Sequence, residues 1–174
     1  EHQRELSLLQ RLAAWAGGKS LPASVWDQLE AWALADELRA KAFAIAPSNV
    51  KDAIRTRSHL LRSIYPDLIQ LCQNTGIQWH SGFLKTLWNL WLPLALQLAA
   101  ERQQMERPLI QGILGGQGTG KTTMAAVLTL ILAHLGYRTL SISLDDLYKT
   151  YAERLALKQQ DPRLIWRGPP GTHD

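Results

Sequence analysis

Cysteine is nearly absent from this 174-residue chain, in which Cys72 is the sole example. A single thiol cannot form a disulfide framework within the chain, nor a metal site built from several cysteines. Cys72 follows Leu71 in an apolar stretch, which indicates a small core residue rather than a nucleophile. So little cysteine is typical of a reducing compartment, and we expect a cytoplasmic location.

The chain also lacks long apolar runs and a strong charge of one sign. Its longest run free of Asp, Glu, Lys, Arg and His covers residues 86–100 and contains Asn89, Pro93 and Gln97. That run is shorter than the roughly 20 residues that a membrane-spanning helix needs. The net charge is only +4, and no Lys/Arg cluster follows one face. The composition therefore favours neither a membrane nor a nucleic-acid partner, although a mild positive charge suits an anionic ligand.

One glycine-rich run fits G-x-x-x-x-G-K-[ST], the pattern of loops that bind nucleotide phosphates. Its backbone N–H groups would surround phosphate oxygens, Lys121 would lie near the β- and γ-phosphates, and the Thr122 hydroxyl would bind Mg²⁺. The predicted cofactors are therefore ATP and Mg²⁺. The alternative is a glycine-rich turn that matches the pattern by chance. The residues predicted to bind the cofactors are Gly115, Gly116, Gln117, Gly118, Thr119, Gly120, Lys121, Thr122 and Thr123.

The sequence around this loop predicts a strand before it and a helix after it. Residues 109–114 are apolar, as in a buried strand, and residues 122–135 are apolar and Ala-rich, with Gly136 as a C-terminal helix stop. Residues 138–144 are β-branched and apolar, which predicts a second strand. We expect an α/β fold from residue 108 onward, preceded by an all-helical region over residues 1–107.

The helical region predicts a long helix over residues 81–104, in which Pro93 causes a kink or starts a new helix. The sequence has seven tryptophans. We interpret the six in this region as core and interface side chains, with a ligand-stacking surface as the alternative. These six are Trp15, Trp26, Trp32, Trp79, Trp88 and Trp91.

Two acidic residues, Asp145 and Asp146, follow the second predicted strand. Open α/β sheets bind ligands beyond the carboxyl ends of their strands, and phosphoryl transfer needs carboxylates to orient a hydroxyl and to hold Mg²⁺. One Asp would activate an acceptor hydroxyl and its neighbour would help to bind the metal. Alternatively, the two acids cap a helix. A further helix is predicted over residues 149–160.

The last eight residues contain Arg167, His173 and Asp174 around a turn rich in glycine and proline. The Arg167 guanidinium suits a carboxylate or phosphate, because it pairs with either through two parallel hydrogen bonds. Backbone N–H groups of Gly168, Gly171 and Thr172 would add donors. The alternative is a solvated surface loop.

Taken in order, three motifs resemble the D-glycerate 3-kinase family of cyanobacteria, plants and fungi, which is related to phosphoribulokinase and uridine kinase. They are the phosphate loop at residues 115–123, Ser-Leu-Asp-Asp-Leu-Tyr at residues 143–148, and Trp-Arg-Gly-Pro-Pro-Gly-Thr-His-Asp at residues 166–174. The third motif is the most specific. The resemblance covers residues 108–174, and no motif before residue 108 is diagnostic.

The resemblance implies a three-layer parallel sheet and transfer of the ATP γ-phosphate to the 3-hydroxyl of D-glycerate, as in photorespiration. It implies that Lys121 and Asp145 are catalytic and that Thr122 and Asp146 bind the metal. The substrate-binding residues would be Asp145, Tyr148, Arg167, Thr172, His173 and Asp174, with Arg167 as our own inference for the glycerate carboxylate.

Family members continue past the Thr-His-Asp element, so we expect this chain to be the amino-terminal part of a longer kinase, with only the first strands of the sheet, and inactive by itself. Three alternatives stay open. The first is a kinase for another small hydroxyl substrate, such as a nucleoside, sugar or pantothenate-like compound. The second is a non-catalytic nucleotide-binding module, for which the guanine-specific N-K-x-D element is absent. The third is a protein-interaction role for the Trp-rich helices. The oligomeric state is not predicted.

Overall fold

The structure is a computed structural model that describes the backbone of residues 2–173 and the side chains of residues 5–173. It divides into two compact units, Glu1–Thr139 and Leu140–Asp174. The helices of the first unit are α1 (His2–Ala16), α2 (Ala23–Ala35), α3 (Glu37–Ala42), α4 (Val50–Thr75), α5 (Ser81–Thr86), a π-helical turn (Leu87–Trp91), α6 (Leu92–Gln103) and α7 (Lys121–His134). None of the helices in the described part of the chain has the length and apolar character needed to cross a bilayer.

Helix α4 is central to the first unit and packs against α1, α2, α6 and α7. Ile54, Leu61, Ile64 and Leu68 recur at helical spacing and are fully buried, which explains how one helix serves several neighbours. The helix runs through Pro66 and ends at Gly76, whose φ of 70° is the left-handed conformation that glycine adopts without steric cost.

The six tryptophans of the helical region are core residues. Trp88 and Trp91 are buried, and Trp15, Trp26, Trp32 and Trp79 pack partly buried against the same core. Trp15 and Trp26 meet edge to face at 5.3 Å. The core interpretation is therefore confirmed, and Cys72 is buried in this cluster as expected.

Helix α7 follows the phosphate loop and packs against α4 and α6. Its buried residues are Val127, Leu128 and Ile131, and burial of each such side chain contributes roughly 1.5–3 kcal/mol. Gly136 ends the helix with φ 85°, while the Tyr137 N–H donates to the Leu132 carbonyl at 2.9 Å. The helix predicted at residues 122–135 and its glycine stop are confirmed.

Because α7 packs on the helical region, the phosphate loop lies in the first compact unit. The units of this chain therefore divide between Thr139 and Leu140, while the domain boundary between residues 107 and 108 stays a prediction for the complete kinase. The boundary between residues 107 and 108 was placed from the position of the motifs, whereas the burial of apolar area determines which segments pack together.

The long helix predicted at residues 81–104 is interrupted by the π-helical turn. Leu92 donates its N–H to the Leu87 carbonyl, five residues back, and Pro93 has no N–H to donate. The Trp88 carbonyl therefore accepts neither from Leu92, whose N–H bonds Leu87, nor from Pro93, which has no N–H. The Arg57 guanidinium donates to this carbonyl through Nη1 at 3.4 Å. Helix α6 starts at Leu92 with Pro93 in its first turn, which is the second of the two predicted outcomes.

Neither predicted strand is present among residues 2–173. Residues 109–114 and 138–144 belong to no strand, and Ile110 and Leu140 are 90% and 84% exposed. A strand forms only when a neighbour accepts and donates its ladder hydrogen bonds, and no described segment does so for either run. The two strand predictions are therefore wrong for the described residues of this chain, while the parallel-sheet fold stays an expectation for a complete domain.

The second unit contains a 3₁₀ turn at Leu144–Leu147, helix α8 at Tyr151–Leu157 and a 3₁₀ turn at Pro162–Ile165. Helix α8 is shorter than the predicted 149–160. Thr150 determines its start, because the Thr150 hydroxyl accepts from the Glu153 N–H and the Glu153 carboxylate accepts from the Thr150 N–H. Arg154 and Thr172 are the buried residues among those described in this unit.

Candidate functional site

The phosphate loop has a defined shape that its glycines make possible. Gly118 and Gly120 have φ values of 76° and 84°, in the region that favours glycine. The Thr119 hydroxyl donates to the Gly116 carbonyl at 2.8 Å and ties the turn together. A Cβ on Gly115 would lie 2.8 Å from Thr119 Oγ1, so this position has no room for a larger residue.

Lys121 folds back across this loop. Its Nζ donates to the carbonyls of Gly115 and Gly116, both at 2.7 Å. An ammonium group has three donors, so two hold the side chain in place and one is left for another acceptor. The lysine charge therefore lies over the first half of the loop, where the sequence motif predicts phosphates.

Helix α7 begins at Lys121, directly after the loop. The first N–H groups of a helix have no partner within the helix, and the helix dipole adds positive potential there. Phosphate oxygens match this set of donors, and the glycine-lined turn leaves space for them. The loop and the start of α7 therefore offer donors that suit phosphate oxygens, and nucleotide binding stays a prediction.

The predicted magnesium ligand Thr122 is exposed in the first turn of α7. Among residues 2–173, no group of three or more His, Cys, Asp and Glu side chains could hold a metal ion. This does not conflict with the prediction, because Mg²⁺ in nucleotide sites takes one or two protein ligands and phosphate oxygens.

The acid pair lies in the second unit, on the 3₁₀ turn. Asp146 Oδ2 accepts the Ser143 N–H at 3.0 Å, and Ser143 Oγ accepts the Asp145 N–H at 3.2 Å. Asp146 therefore has the capping role that was the alternative to metal binding, and its role as a metal ligand stays a prediction. Asp145 is exposed, and among the described residues its carboxylate accepts no hydrogen bond. Of the two acids, Asp145 is the one with a carboxylate available to a substrate.

Tyr148, Arg167 and His173 come together in the second unit. The Tyr148 and His173 rings lie 4.0 Å apart at 32°, and their backbones form an isolated antiparallel bridge. Arg167 Cζ lies 5.4 Å from the centre of the Tyr148 ring. Three predicted substrate-binding residues thus form one stack of side chains, which we call the Arg–Tyr–His stack. The Arg167 guanidinium lies over the Tyr148 ring, and this contact holds the orientation of its N–H groups.

Thr172 stabilises the turn that leads to His173 of this stack. It is fully buried, and its hydroxyl donates to the Pro169 carbonyl at 2.7 Å. The Lys149 N–H donates to the Thr172 carbonyl at 2.8 Å. In this conformation Thr172 shapes the turn rather than facing a ligand, and substrate contact by Thr172 stays a prediction. Asp174, also predicted to bind substrate, lies outside the described residues.

Arg154 has a positioning role that the sequence did not reveal. It is 8% exposed, and it donates to the carbonyls of Lys149 at 3.1 Å and Ile165 at 2.7 Å. These bonds connect the segment after Tyr148 to the segment before Arg167. One arginine on a short helix carries no sequence signal for such a role, because its acceptors are carbonyls that only the fold brings near.

Comparisons with known proteins give two relatives and no match to a family model or a solved structure. The chain is 42% identical over 71 residues to an uncharacterized kinase, mug58, of Schizosaccharomyces pombe, covering 39% of this chain and 26% of that protein. It is 34% identical over 70 residues to the chloroplastic D-glycerate 3-kinase of Arabidopsis thaliana, covering 38% of this chain and 15% of that protein.

Both relatives are kinases by name, so the resemblance to a glycerate-kinase-like family is confirmed over about 38% of the chain. The chain spans about a quarter of the first relative and less of the second.

Proposed function

We propose that the protein carrying this chain is an ATP-dependent kinase that phosphorylates D-glycerate at its 3-hydroxyl, giving 3-phospho-D-glycerate. The observation that carries the proposal is the phosphate loop, where Lys121 Nζ lies on the Gly115 and Gly116 carbonyls at the start of α7. Similarity to two kinases supports phosphoryl transfer over mere nucleotide binding.

On the nucleotide side, N–H groups of the loop and of the first turn of α7 hold the phosphates. The Thr122 hydroxyl would be a ligand of the Mg²⁺ that accompanies ATP, and Asp146 is kept as the second predicted ligand. Bound MgATP supplies the phosphoryl group that is transferred. Lys121 places positive charge where negative charge develops during transfer, and such placed charges contribute much of the rate in phosphoryl-transfer enzymes.

On the acceptor side, Asp145 orients the glycerate 3-hydroxyl and accepts its proton. Arg167 binds the glycerate carboxylate through its guanidinium, and Tyr148 and His173 keep the arginine in place through the Arg–Tyr–His stack. A charged hydrogen-bonded pair of this kind contributes about 1.5–3 kcal/mol. The stack therefore selects an anionic hydroxy acid over a neutral polyol.

We also propose that residues 109–114 and 138–144 form strands of a parallel sheet when the rest of the kinase domain pairs with them. Their exposed apolar side chains support this, because Ile110, Leu140 and Ile142 are 90%, 84% and 65% exposed. Large exposed apolar surface marks a contact site.

The test of function measures ADP release by the full-length protein with MgATP and a panel of acceptors: D-glycerate, L-glycerate, glycerol, uridine, ribulose 5-phosphate and pantothenate. We expect D-glycerate to give the highest kcat/KM, with 3-phosphoglycerate as the product. A higher kcat/KM with one of the nucleoside, sugar or pantothenate acceptors would replace glycerate by that substrate. ATP binding without turnover on any acceptor would favour the non-catalytic module.

Two variants test the proposed role of Asp145 as the general base. Asp145→Asn should lower kcat by roughly 10²–10⁴-fold, because a positioned general base contributes about that much, while MgATP affinity is retained. Asp161→Asn is the matched control in the same unit, since the Asp161 side chain bonds Arg163 alone among the described residues and has no proposed catalytic role. Equal losses in the two variants would contradict the role of Asp145.

A further inference from the structure

Arg57 of the first unit is a buried cation that has no carboxylate partner among the described residues. Arg57 is 4% exposed, and its described acceptor is the Trp88 carbonyl, at the long distance of 3.4 Å from Nη1. Its Nε is buried and has no hydrogen-bond partner in the part of the chain that the structure describes. Buried arginines are normally paired with an acid, because an unpaired charge away from water costs free energy.

The structural role of Arg57 accounts for only part of its donors. Its contact with Trp88 replaces the helical donor that Pro93 removes, and its guanidinium lies 5.2 Å from the Trp88 ring centre. These contacts occupy Nη1 and one face of the guanidinium. They leave the other donors of the guanidinium without a described acceptor.

A cleft of about 420 Å³ lies against Arg57 in the first unit. It is bounded by the end of α3, the segment after it, and α4 and α6, with Phe43, Ile45, Ala53 and Leu96 among its lining residues. Among the described lining residues, Arg57 is the one with a charge. The volume is within the range of small-molecule sites, which are mostly apolar with a few placed polar groups.

A second cation adds to the positive potential. Burial first, and then the charge of Arg39, lower the pKa of Arg57 to about 10. Arg39 itself pairs with Asp36 at 3.0 Å, so its own charge is partly balanced. An anion in the cleft would balance the charge of Arg57 at the part of the side chain that lines the cleft.

We propose that this cleft binds a small monocarboxylate with an apolar body, whose carboxylate pairs with Arg57. The body of such a ligand would contact the apolar wall formed by Phe43, Ile45 and Leu96, while exposed Thr56 and Gln97 line the cleft with polar atoms. A carboxylate suits this site better than phosphate, because one cation and apolar walls offer too few donors for a dianion. The site is separate from the phosphate loop and does not depend on kinase activity.

The test uses the full-length protein without nucleotide. Calorimetric titration compares hexanoate and benzoate with hexanol, hexylammonium and inorganic phosphate. We expect hexanoate and benzoate to bind, and the neutral, cationic and phosphate probes to bind at least tenfold more weakly. Comparable binding of hexanol, or binding of phosphate alone, would overturn the proposal, as would no binding of either carboxylate.

Three variants locate the site. Arg57→Met should weaken hexanoate binding by about 10- to 100-fold, as expected for loss of a charged hydrogen-bonded pair. Arg55→Met is the matched control, because Arg55 is exposed on the same helix and is not among the lining residues. Ala53→Leu fills the cleft and leaves Arg57 unchanged, so it keeps the proposal falsifiable if Arg57→Met does not fold. Unchanged hexanoate binding in Ala53→Leu, or equal losses in the two arginine variants, would overturn it.

Discussion

Gly115→Ala tests the shape of the phosphate loop through a single methyl group. The added Cβ would lie 2.8 Å from Thr119 Oγ1, a separation that real Cβ atoms essentially never show. Thr119 is not free to move without loss, because its hydroxyl donates to the Gly116 carbonyl at 2.8 Å. The substitution therefore either breaks this bond or displaces the loop backbone.

The magnitude follows from these two routes. Loss of the Thr119 hydrogen bond costs about 0.5–1.5 kcal/mol, and overpacking in a tight site costs about 1–3 kcal/mol. We expect MgATP binding to weaken by about 1–3 kcal/mol, which is roughly 5- to 150-fold in Kd. Gly116→Ala is the matched control, since its Cβ would meet only Thr119 Cγ2, at an ordinary 3.8 Å.

The assay is calorimetric titration of the full-length protein with MgATP, with thermal unfolding measured in parallel. In a Thr119→Ala background, which removes the clashing oxygen, Gly115→Ala should cost less than in the wild type. The reasoning is refuted if Gly115→Ala binds MgATP like the wild type. It is also refuted if Gly116→Ala weakens binding as much, because the contact with Thr119 would then not be the cause.

Three other predictions concern stability and reactivity. Ala44 has φ 51°, so Ala44→Gly should raise the free energy of unfolding by about 0.5–1 kcal/mol. Gly136 has φ 85°, so Gly136→Ala should lower the free energy of unfolding by about 1 kcal/mol. Urea unfolding measures both changes, and changes of the same sign would contradict the backbone argument. Burial raises the pKa of the Cys72 thiol, so a thiol reagent should react at the unfolding rate; fast labelling of the native protein would contradict this. Hydrogen bonds from Arg163 lower the pKa of Asp161 to about 2. The pair therefore stabilises the turn at pH values above the ordinary Asp pKa, and this stabilisation is lost as the pH falls through about 2. A carboxyl NMR titration of Asp161 with an ordinary midpoint would disprove the pairing.

Features with local causes were predicted well. The helix at residues 122–135 and its stop at Gly136 depend on apolar spacing and on one residue with positive φ, both of which the sequence contains. The Asp146 capping bond to Ser143 spans three residues, and a capping role for the two acids was the alternative that the sequence offered. Such contacts need only the chain on either side of them.

Features with distant causes were missed or only partly predicted. The burial of Arg57 depends on a carbonyl that Pro93 frees on another helix, 31 residues away along the chain. Arg154 bonds carbonyls on two segments that the fold brings near, and no sequence pattern announces it. The runs at residues 109–114 and 138–144 have strand-like composition, yet neither forms a strand among the described residues, because no neighbour pairs with it.

The sequence by itself determined the phosphate loop, since glycine conformations and a lysine within six residues of its acceptors are local properties. Only the tertiary structure decided that α7 packs on the helical region and that the Arg–Tyr–His stack assembles from residues up to 25 positions apart along the chain. The physical reason is the distance along the chain between the residues that interact. Backbone preference and short hydrogen bonds are written in neighbouring residues, whereas burial and the pairing of remote groups depend on which surfaces the folded chain brings into contact.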